Sequence, residues 1–324
     1  MLTPGKTYRE SGVDLDAAAA VKEKIKAITA GTMAEGALQG FFAGVYEPGP
    51  DSDTLLVASS DSVGTKVKVA QAARRYTSIG VDMVNHSVND ILPTGAEPIF
   101  FLDYIGIGRL NERIVTELVE GMAAACLEAG CALIGGETAQ LPGLYRGDDF
   151  DLVGFIVGSV RRDAFIGGRR GRPGDVLIGL PSSGLHTNGY SLVRSVFDID
   201  GHPENLDEWV PALGAKLGDA LLEPHRSYLA ALRPVAGTIR GMAHITGGGI
   251  PFNLPRVLPD GVGAEIRLDS WEVPPLFRLI RERGGVDETE MFRVFNMGVG
   301  MIVVAAPDAA PGVLKRVPDA WELG

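Results

Sequence analysis

The sequence is poor in the residues that mark several common protein classes. It contains only two cysteines, Cys126 and Cys131, both in apolar surroundings, so we expect packed thiols in a reducing cytoplasm. No Lys- or Arg-rich patch offsets the formal net charge of −11, which argues against a nucleic-acid partner. There is no apolar signal core and no run of about 18 apolar residues. The sequence therefore predicts a cytoplasmic protein without a membrane partner.

The two commonest signatures of nucleotide-binding folds are also missing, since neither a P-loop nor Gly-x-Gly-x-x-Gly after a strand occurs. The 324 residues contain segments with the apolar pattern of strands, and these alternate with segments of helical periodicity. The sequence also contains 43 glycines. These features predict an α/β (α+β) protein with many tight turns, and the length suggests two domains. A stretch rich in glycine and arginine at 167–174 is the predicted linker, so we expect domains at 1–166 and 175–324.

The segment Asp-Ser-Val-Gly-Thr-Lys at residues 61–66 follows a strand pattern and could hold an anionic ligand. Asp61 can bind a cation, Gly64 permits close approach of the backbone, and Thr65 and Lys66 can donate to anionic oxygens. An ordinary strand end followed by a turn explains these six residues equally well. Other segments have to decide between the two interpretations.

Residues 80–92 have a helical pattern with two chemically different faces. Apolar side chains share one face, whereas Asp82, His86, Asn89 and Asp90 share the other. Short side chains that carry oxygen or imidazole, with no lysine or glutamate among them, are typical of a hard-cation site. The alternative is a helix face exposed to solvent.

Three predicted strands each deliver an acid where they emerge, at Asp61, Asp103 and Glu137. Because ligand sites of α/β sheets gather at carboxyl ends of strands, we expect these acids to converge with Asp82 and Asp90. Each carboxylate would repel a phosphate 4 Å away by about 4 kcal/mol at an effective dielectric constant near 20. Divalent cations, most plausibly Mg²⁺, would turn this cluster into a nucleotide site.

A glycine-rich loop at residues 31–44 is the candidate lid of the site. It places four glycines around two phenylalanines, a composition suited to a mobile loop with an apolar tip that closes over a ligand. An ordinary long connection is the alternative.

Two loops of the second half add glycines and polar groups. Residues 182–188 and 244–250 lie on turns between apolar segments, as expected of a phosphate site. His186 could stabilise negative charge there or move a proton, although a structural role is also possible. We expect His202 and His225 to lie at the surface.

Assembled in order, these segments resemble the phosphoribosylformylglycinamidine cyclo-ligase family over nearly the full length of the chain. Each motif alone is weak, whereas eight in the right order are specific. The motifs are Tyr-Arg-Glu-Ser-Gly-Val-Asp from Tyr8, Val-Gly-Thr-Lys ending at Lys66, Val88-Asn-Asp, Gly95-Ala-Glu-Pro-Ile-Phe-Phe-Leu-Asp-Tyr, Gly135-Gly-Glu-Thr-Ala, Ser182-Ser-Gly-Leu-His-Thr-Asn-Gly-Tyr-Ser-Leu-Val-Arg, Thr246-Gly-Gly-Gly and Phe295-Asn-Met-Gly-Val-Gly-Met.

The resemblance implies an ATP-dependent ring closure in de novo purine biosynthesis. Formylglycinamidine ribonucleotide would become 5-aminoimidazole ribonucleotide, with release of ADP and phosphate. In the family's chemistry ATP phosphorylates the formyl amide oxygen, an amidine nitrogen attacks that carbon, and phosphate leaves. The family also implies a homodimer of two-domain α/β subunits whose first domains pair their sheets, with ATP bound in a cleft nearby.

Carried over residue by residue, the resemblance implies a role for each candidate position. Asp61, Asp82, Asp90 and Glu137 become the metal ligands, and His186 and Lys66 become the catalytic residues. The substrate side comprises Ser182, Ser183, Thr187, Asn188, Thr246, Gly247 and Gly248. The nucleotide side comprises Lys26, Gly36, Gly40, Gly44, Asp61, Gly64, Thr65, Lys66, Asp82 and Asn89, of which the span from Gly36 to Gly44 forms the lid.

The sequence departs from the family pattern at several of these motifs. Ser62 stands where the family usually has glycine, Gln140 replaces a usual glutamate, and Val294 a usual threonine. His86 is unusual on its helix. Ser62 adds a side chain beside the expected phosphates, so it affects the fine geometry of that segment.

Two other readings compete with the cyclo-ligase. Another ATP-using enzyme of the superfamily, such as a thiamine-monophosphate kinase or selenophosphate synthetase, would share the acids but not the segment from Ser182 to Tyr190. A non-catalytic nucleotide-binding scaffold would be expected to have lost the carboxylates, which are present.

Overall fold

The chain folds into two mixed α/β halves, each built around one principal sheet. All strands of the first sheet end before residue 162, and all strands of the second begin after residue 175. The predicted α/β class is confirmed, while the boundaries of the linker stay a prediction. Among the described residues, no helix combines the length and apolarity needed to cross a membrane. The computed structural model describes residues 5–33, 37–38, 42–49, 51–167 and 170–324.

Six strands form the first sheet. They are β1 (Ala37–Leu38), β2 (Gly44–Tyr46), β3 (Thr54–Ser62), β4 (Glu97–Ile107), β5 (Ala132–Gln140) and β6 (Phe150–Arg161). Their order across the sheet is β1-β2-β3-β6-β4-β5. Because β6 is antiparallel to both β3 and β4, and β4 is parallel to β5, the carboxyl ends of β3, β4 and β5 share one edge.

In the described part of the chain, the helices that pack on this sheet lie on one of its faces. The helices of the first half are α1 (Leu15–Thr29), α2 (Lys66–Ala73), α3 (Thr77–Ile91) and α4 (Glu112–Ala129). α3 and α4 pack closely because glycines meet at their crossing: a Cβ on Gly80 would lie 2.1 Å from Leu118 O, and one on Gly121 would lie 2.0 Å from Thr77 O. α1 begins after its capping residue Asp14 and buries none of its residues.

The opposite face of the first sheet is open and partly apolar. Alternation along β3 turns Leu55 and Val57 into the core and Leu56 outward. Tyr46 pairs with Leu56, and Phe155 lies on the same face because it pairs with Ser60. The three outward side chains, Tyr46, Leu56 and Phe155, are between 36% and 49% exposed.

The second half is built on an antiparallel sheet of four strands. They are β7 (Val176–Pro181), β10 (Ile239–His244), β11 (Val299–Ala305) and β12 (Trp321–Glu322), in the order β10-β11-β7-β12, and β8 (Trp209–Val210) pairs separately with β9 (Ala215–Lys216). The helices are α5 (Tyr190–Val196), α6 (Leu217–Leu221), α7 (Leu229–Leu232), α8 (Gly249–Asn253), α9 (Pro275–Gly284), α10 (Glu288–Val294) and α11 (Ala310–Arg316).

The strands of the first half extend further than predicted, and this changes where the acids lie. Asp103 and Glu137 are within β4 and β5 instead of at their ends. Asp61 and Asp103 both pair with Gly154, so they share one row and one face of the sheet. Glu137 pairs with Tyr104 in the next row and therefore points to the opposite, open face.

Candidate functional site

The polar face of α3 binds the second half of the chain. Asn85 Nδ2 donates to the carbonyl of His225 at 2.8 Å. Asn89 Nδ2 donates to the carbonyl of Arg226 at 2.7 Å, and Asn89 Oδ1 accepts from the N–H of Tyr228 at 3.0 Å. The face is therefore not exposed to solvent. Asn89 is fully buried and both ends of its amide are occupied, and its expected contact with the nucleotide stays a prediction.

Lys66 and Asp82 form a buried ion pair beside these hydrogen bonds. Lys66 Nζ lies 2.8 Å from Asp82 Oδ2 and donates to the carbonyl of Glu223 at 2.8 Å, while Asp82 Oδ1 accepts from the N–H of His225 at 2.7 Å. Burial raises the pKa of Asp82 to about 6 and lowers the pKa of Lys66, whereas their mutual attraction opposes both shifts. We treat the pair as ionised at pH 7.

This ion pair involves two residues predicted to contact the ligand. Neither Lys66 nor Asp82 is exposed, and each bonds to the segment that begins at Glu223. Contact of Lys66 with a phosphate, and of Asp82 with a metal, stays a prediction. The pair joins the two halves and lies buried next to the candidate site.

His86 lies between two carboxylates at the edge of this buried region. Its Nε2 is 3.0 Å from Asp61 Oδ2 and 3.6 Å from Asp90 Oδ2, and its Nδ1 is 2.7 Å from Thr187 Oγ1. Burial alone would lower the pKa of His86, but the charges of Asp90, Asp61 and Asp82 outweigh it and raise this pKa to about 9. At neutral pH the imidazole is therefore a cation.

Asp61 is the solvent-facing member of this group. Its side chain is 46% exposed, whereas that of Asp90 is 8% exposed. Burial would raise the pKa of Asp61, but the hydrogen bond and charge of His86 outweigh it and lower this pKa. Two carboxylates, one accessible and one buried, thus flank a single imidazolium. The local excess of negative charge can attract a cation.

Three further histidines continue inward from Asp90. His244 Nδ1 is 2.9 Å from Asp90 Oδ1, and His244 Nε2 is 3.1 Å from His225 Nε2. The ring of His186 stacks on that of His225, with centroids 3.8 Å apart and planes inclined by 18°. Burial, reinforced by neighbouring charges, holds the pKa of His186 and His225 well below 6.5, so both are neutral at pH 7.

The loop that carries His186 faces the segment from Asp61 to Lys66. Thr65 Oγ1 lies 3.2 Å from Ser191 Oγ. Gly64 has φ +67°, and a Cβ there would lie 3.9 Å from Thr187 O. A Cβ on Gly247 would lie 3.6 Å from Asn188 Cγ, so the Thr246–Gly248 turn meets the same loop. The structure therefore brings these three predicted segments together.

Ser182 and Ser183 lie beside this meeting point and line a cavity of about 330 Å³ together with Glu223 and Pro274. Ser182 Oγ is 3.1 Å from Asn296 Oδ1, so the Phe-Asn-Met-Gly motif holds the start of the loop. The cavity is a candidate position for part of a substrate.

Other predicted site residues lie apart from this centre. Glu137 is three strands from β3, a distance of about 14 Å at the usual strand spacing, and points to the open face. Lys26 is exposed on α1. Gly44 lies in β2 and pairs with Ala58 of β3. Gly36 and Gly40, which were expected to form the lid, lie outside the described residues.

The described end of the expected lid reaches the histidines. Phe42 is 9% exposed, and its ring centroid lies 6.5 Å from that of His244. The Arg256 guanidinium lies 3.9 Å from the centre of the Phe42 ring, which is favourable cation–π geometry. An apolar side chain and a cation thus cover this side of the site.

Sequence reasoning missed two of the histidines. The expectation that His225 lies at the surface is wrong, since it is 1% exposed, whereas His202 is exposed as expected. His244 ends β10, and a polar residue at the end of an apolar strand before three glycines could have indicated it. His225 lies in an irregular segment without periodicity, where no comparable signal exists.

Comparisons with known proteins agree with this two-part architecture. The family described as AIR synthase related protein, N-terminal domain, matches residues 42–160, and the corresponding C-terminal domain matches residues 172–324. These matches, together with the two sheets, define a two-domain protein of the AIR synthase related class.

Individual relatives identify the family within this class. The chain is 49% identical to the phosphoribosylformylglycinamidine cyclo-ligase of Myxococcus xanthus, over 99% of this chain and 95% of the relative. It is 47% identical to the enzyme of the same name from Bordetella petrii, over 94% of this chain and 87% of the relative. The chain belongs to the phosphoribosylformylglycinamidine cyclo-ligase family.

Solved structures with similar folds are more distant in sequence. A complex of AaThiL with AMPPCP and TMP superposes with a TM-score of 0.65 at 16% identity, covering 93% of this chain and 88% of that one. A complex of Thermotoga maritima PurL with AMPPCP gives a TM-score of 0.53 at 16% identity, covering 89% of this chain and 41% of that one. These likenesses concern the fold.

Proposed function

We propose that the protein catalyses the ATP-dependent cyclisation of formylglycinamidine ribonucleotide to 5-aminoimidazole ribonucleotide, with release of ADP and phosphate, in de novo purine biosynthesis. The observation that carries this proposal is the near full-length similarity to cyclo-ligases, at 49% identity over 99% of the chain. The geometry is compatible with it, because the predicted metal ligands Asp61 and Asp90 lie beside the loops predicted to hold the substrate.

We infer that ATP and Mg²⁺ bind at the mouth of this site. Two proteins of similar fold have been solved with AMPPCP, an ATP-like nucleotide. Asp61 and Asp90 would hold Mg²⁺, which would screen the charge of the triphosphate, and Gly64 and Thr65 would contact phosphate oxygens. Glu137 is also a proposed metal ligand, although it lies on the open face in this structure. Lys26 and the Gly36–Gly44 lid are proposed nucleotide contacts.

The second half supplies groups suited to the ring closure. After phosphorylation of the formyl oxygen, the amidine nitrogen forms the new C–N bond, loses a proton, and phosphate leaves. His186 is a neutral imidazole and can accept that proton. Ser182, Ser183, Thr187 and Asn188, with Thr246, Gly247 and Gly248, would position the substrate. Lys66 joins the two halves through Asp82, and its contact with a phosphate remains part of the proposal.

The proposal also includes a homodimer in the cytoplasm. The open face of the first sheet carries the outward apolar side chains Tyr46, Leu56 and Phe155. A second copy of this face would bury them and complete the sheet-to-sheet pairing implied by the family. Apolar patches of this kind on a sheet face are typical of protein interfaces.

The turnover of the purified protein tests the proposal. With Mg²⁺, ATP and formylglycinamidine ribonucleotide, we expect ADP and the aminoimidazole product in equal amounts. Thiamine monophosphate, a substrate expected of the rival kinase reading, should give no ADP. Absence of ADP release with formylglycinamidine ribonucleotide would refute the cyclo-ligase assignment, and nucleotide binding without any turnover would favour a scaffold.

Asp61→Asn tests the metal assignment. Because Asp61 is partly exposed and ionised, its loss should weaken binding of Mg²⁺ and ATP at least tenfold while the melting temperature changes little. Isothermal titration calorimetry and differential scanning calorimetry measure the two effects. If the melting temperature fell markedly together with the affinity, the role of Asp61 would be structural.

A further inference from the structure

We propose that His225, His244 and His186 form a binding site for a divalent transition-metal ion, separate from the carboxylate site proposed for Mg²⁺. The three rings are buried, and each offers a nitrogen such that all three nitrogens lie within 4.8 Å of one another. Imidazole suits Zn²⁺, Co²⁺ and Ni²⁺, whereas Mg²⁺ takes oxygen ligands. The chemistry of the donors therefore selects a different ion from the one that accompanies ATP.

The distance between two of the ring nitrogens is close to that between two ligands of a single ion. His244 Nε2 and His225 Nε2 are 3.1 Å apart. Two nitrogens bound to the same tetrahedral Zn²⁺ at about 2.0–2.1 Å lie roughly 3.3 Å apart. An ion could therefore replace the contact between the two rings with a shift of a few tenths of an ångström.

The surroundings hold both rings in place. His244 Nδ1 bonds to the carboxylate of Asp90, an arrangement that fixes the tautomer and leaves the Nε2 lone pair facing His225. The backbone of His225 is held at its N–H by Asp82 and at its carbonyl by Asn85. Two of the three ligands are thus pre-oriented by hydrogen bonds before an ion arrives.

Two buried ring nitrogens of this cluster lack a hydrogen-bond partner among the described residues. Since His244 Nε2 is an acceptor, His225 must donate from Nε2, which leaves its Nδ1 without a proton. His186 Nε2 accepts from the N–H of Ser183 at 3.3 Å, which leaves a proton on Nδ1. Both Nδ1 atoms are buried and find no partner among the described residues.

His186 is the third ligand and the one that must move. A metal ion lies in the plane of the imidazole that binds it, and the stacked rings of His186 and His225 cannot both point at one ion as they stand. Rotation of the His186 ring out of the stack would break its bond from Ser183 and its contact with the ring of His225. The bound ion would then hold His186 away from its position in the proposed proton transfer.

Cobalt titration of the metal-stripped protein tests the site. We expect one equivalent of Co²⁺ to give the visible absorption of a tetrahedral, nitrogen-bound ion, and Zn²⁺ to abolish that absorption by displacement. A large excess of Mg²⁺ should leave it unchanged. His225→Gln should weaken Co²⁺ binding at least tenfold, whereas the matched control His202→Gln, at an exposed histidine paired with Asp198, should bind as the unaltered protein does.

Three results would overturn the site: no Co²⁺ binding by the unaltered protein, unchanged binding by a natively folded His225→Gln variant, or displacement by Mg²⁺. Circular dichroism decides whether the variant is folded. If it is not, X-ray absorption of the zinc-loaded unaltered protein decides: two or three imidazoles support the site, and a shell of oxygen alone refutes it. None of these readouts depends on turnover, so they are independent of the proposed function.

Discussion

At the scale of single residues, His86 should give the stability of the protein a pH dependence of known sign. Its pKa of about 9 in the folded state exceeds the ordinary value of 6.5, so its contribution is fully present below pH 6.5 and is lost as the pH rises through 9. The stability advantage of the unaltered protein over His86→Gln should shrink by about 2 to 3 kcal/mol between pH 7 and pH 10. Urea denaturation in EDTA measures this difference.

His202→Gln is the matched control for this titration. His202 pairs with Asp198 but is exposed, so its replacement should leave the same pH profile almost unchanged. A difference between the unaltered protein and His86→Gln that stays constant from pH 7 to pH 10 would mean that His86 is not a cation in the folded protein.

Variants of Asp82 and Asp61 should distinguish a structural carboxylate from a ligand-binding one in the same cluster. Asp82→Asn leaves Lys66 buried without a counter-charge, which should lower the free energy of unfolding by about 3–5 kcal/mol. Asp61→Asn should lower it much less, because Asp61 is partly exposed and His86 keeps Asp90 as a partner. Guanidinium denaturation of both variants gives the comparison. An equal loss in the two would contradict the division of roles.

At the scale of elements, the crossing of α3 and α4 depends on glycine. A methyl group on Gly121 would lie 2.0 Å from the carbonyl of Thr77, so the helices would have to separate. Gly121→Ala should therefore destabilise the protein by about 3 kcal/mol or more, measured as a fall in the urea midpoint. Gly312→Ala in α11 is the control, since nothing lies within 4 Å of its added methyl group and alanine favours helix. Equal midpoints for the two variants would contradict this packing.

Most elements could be predicted because their signals are local. α1 begins after its capping residue Asp14, and α4 begins after Asn111, so a local capping signal precedes each helix. The strands carrying Asp103 and Glu137 were predicted too short, because glycine and polar residues near their ends resemble turns. Sheet pairing extends these strands, and single-sequence patterns do not contain the pairing partner.

The candidate site could be predicted only in part, for a related reason. The segment at Asp61 and the loop at His186 were identified by glycines and hydroxyls, and the structure places them side by side. The polar face of α3 was recognised as unusual, but its partners are backbone groups such as the carbonyl of His225. Backbone partners leave no mark in the sequence, so the sequence could not show that Asn85 and Asn89 of this helix bind the second half.

At the scale of the whole molecule, the cluster joins the two halves as well as forming the site. Asn85, Asn89 and the Lys66–Asp82 pair all bond to residues 223–228, while His86 and Asp90 bond to Thr187 and His244. The same helix therefore fixes the position of the second half and presents the carboxylates. A relative movement of the halves would necessarily change the distance between the proposed nucleotide and substrate sides.

The open face of the first sheet should decide the oligomeric state. Phe155 projects from this face between neighbouring strands, and a glutamate there would place a charge in the proposed dimer interface without touching the core. We expect sedimentation velocity to give a dimer for the unaltered protein and a monomer for Phe155→Glu at micromolar concentration. Leu127→Glu is the matched control: Leu127 is 83% exposed on α4, on the covered side of the sheet, and its replacement should leave the dimer intact. A dimer that survives Phe155→Glu, or one that Leu127→Glu abolishes, would place the interface elsewhere.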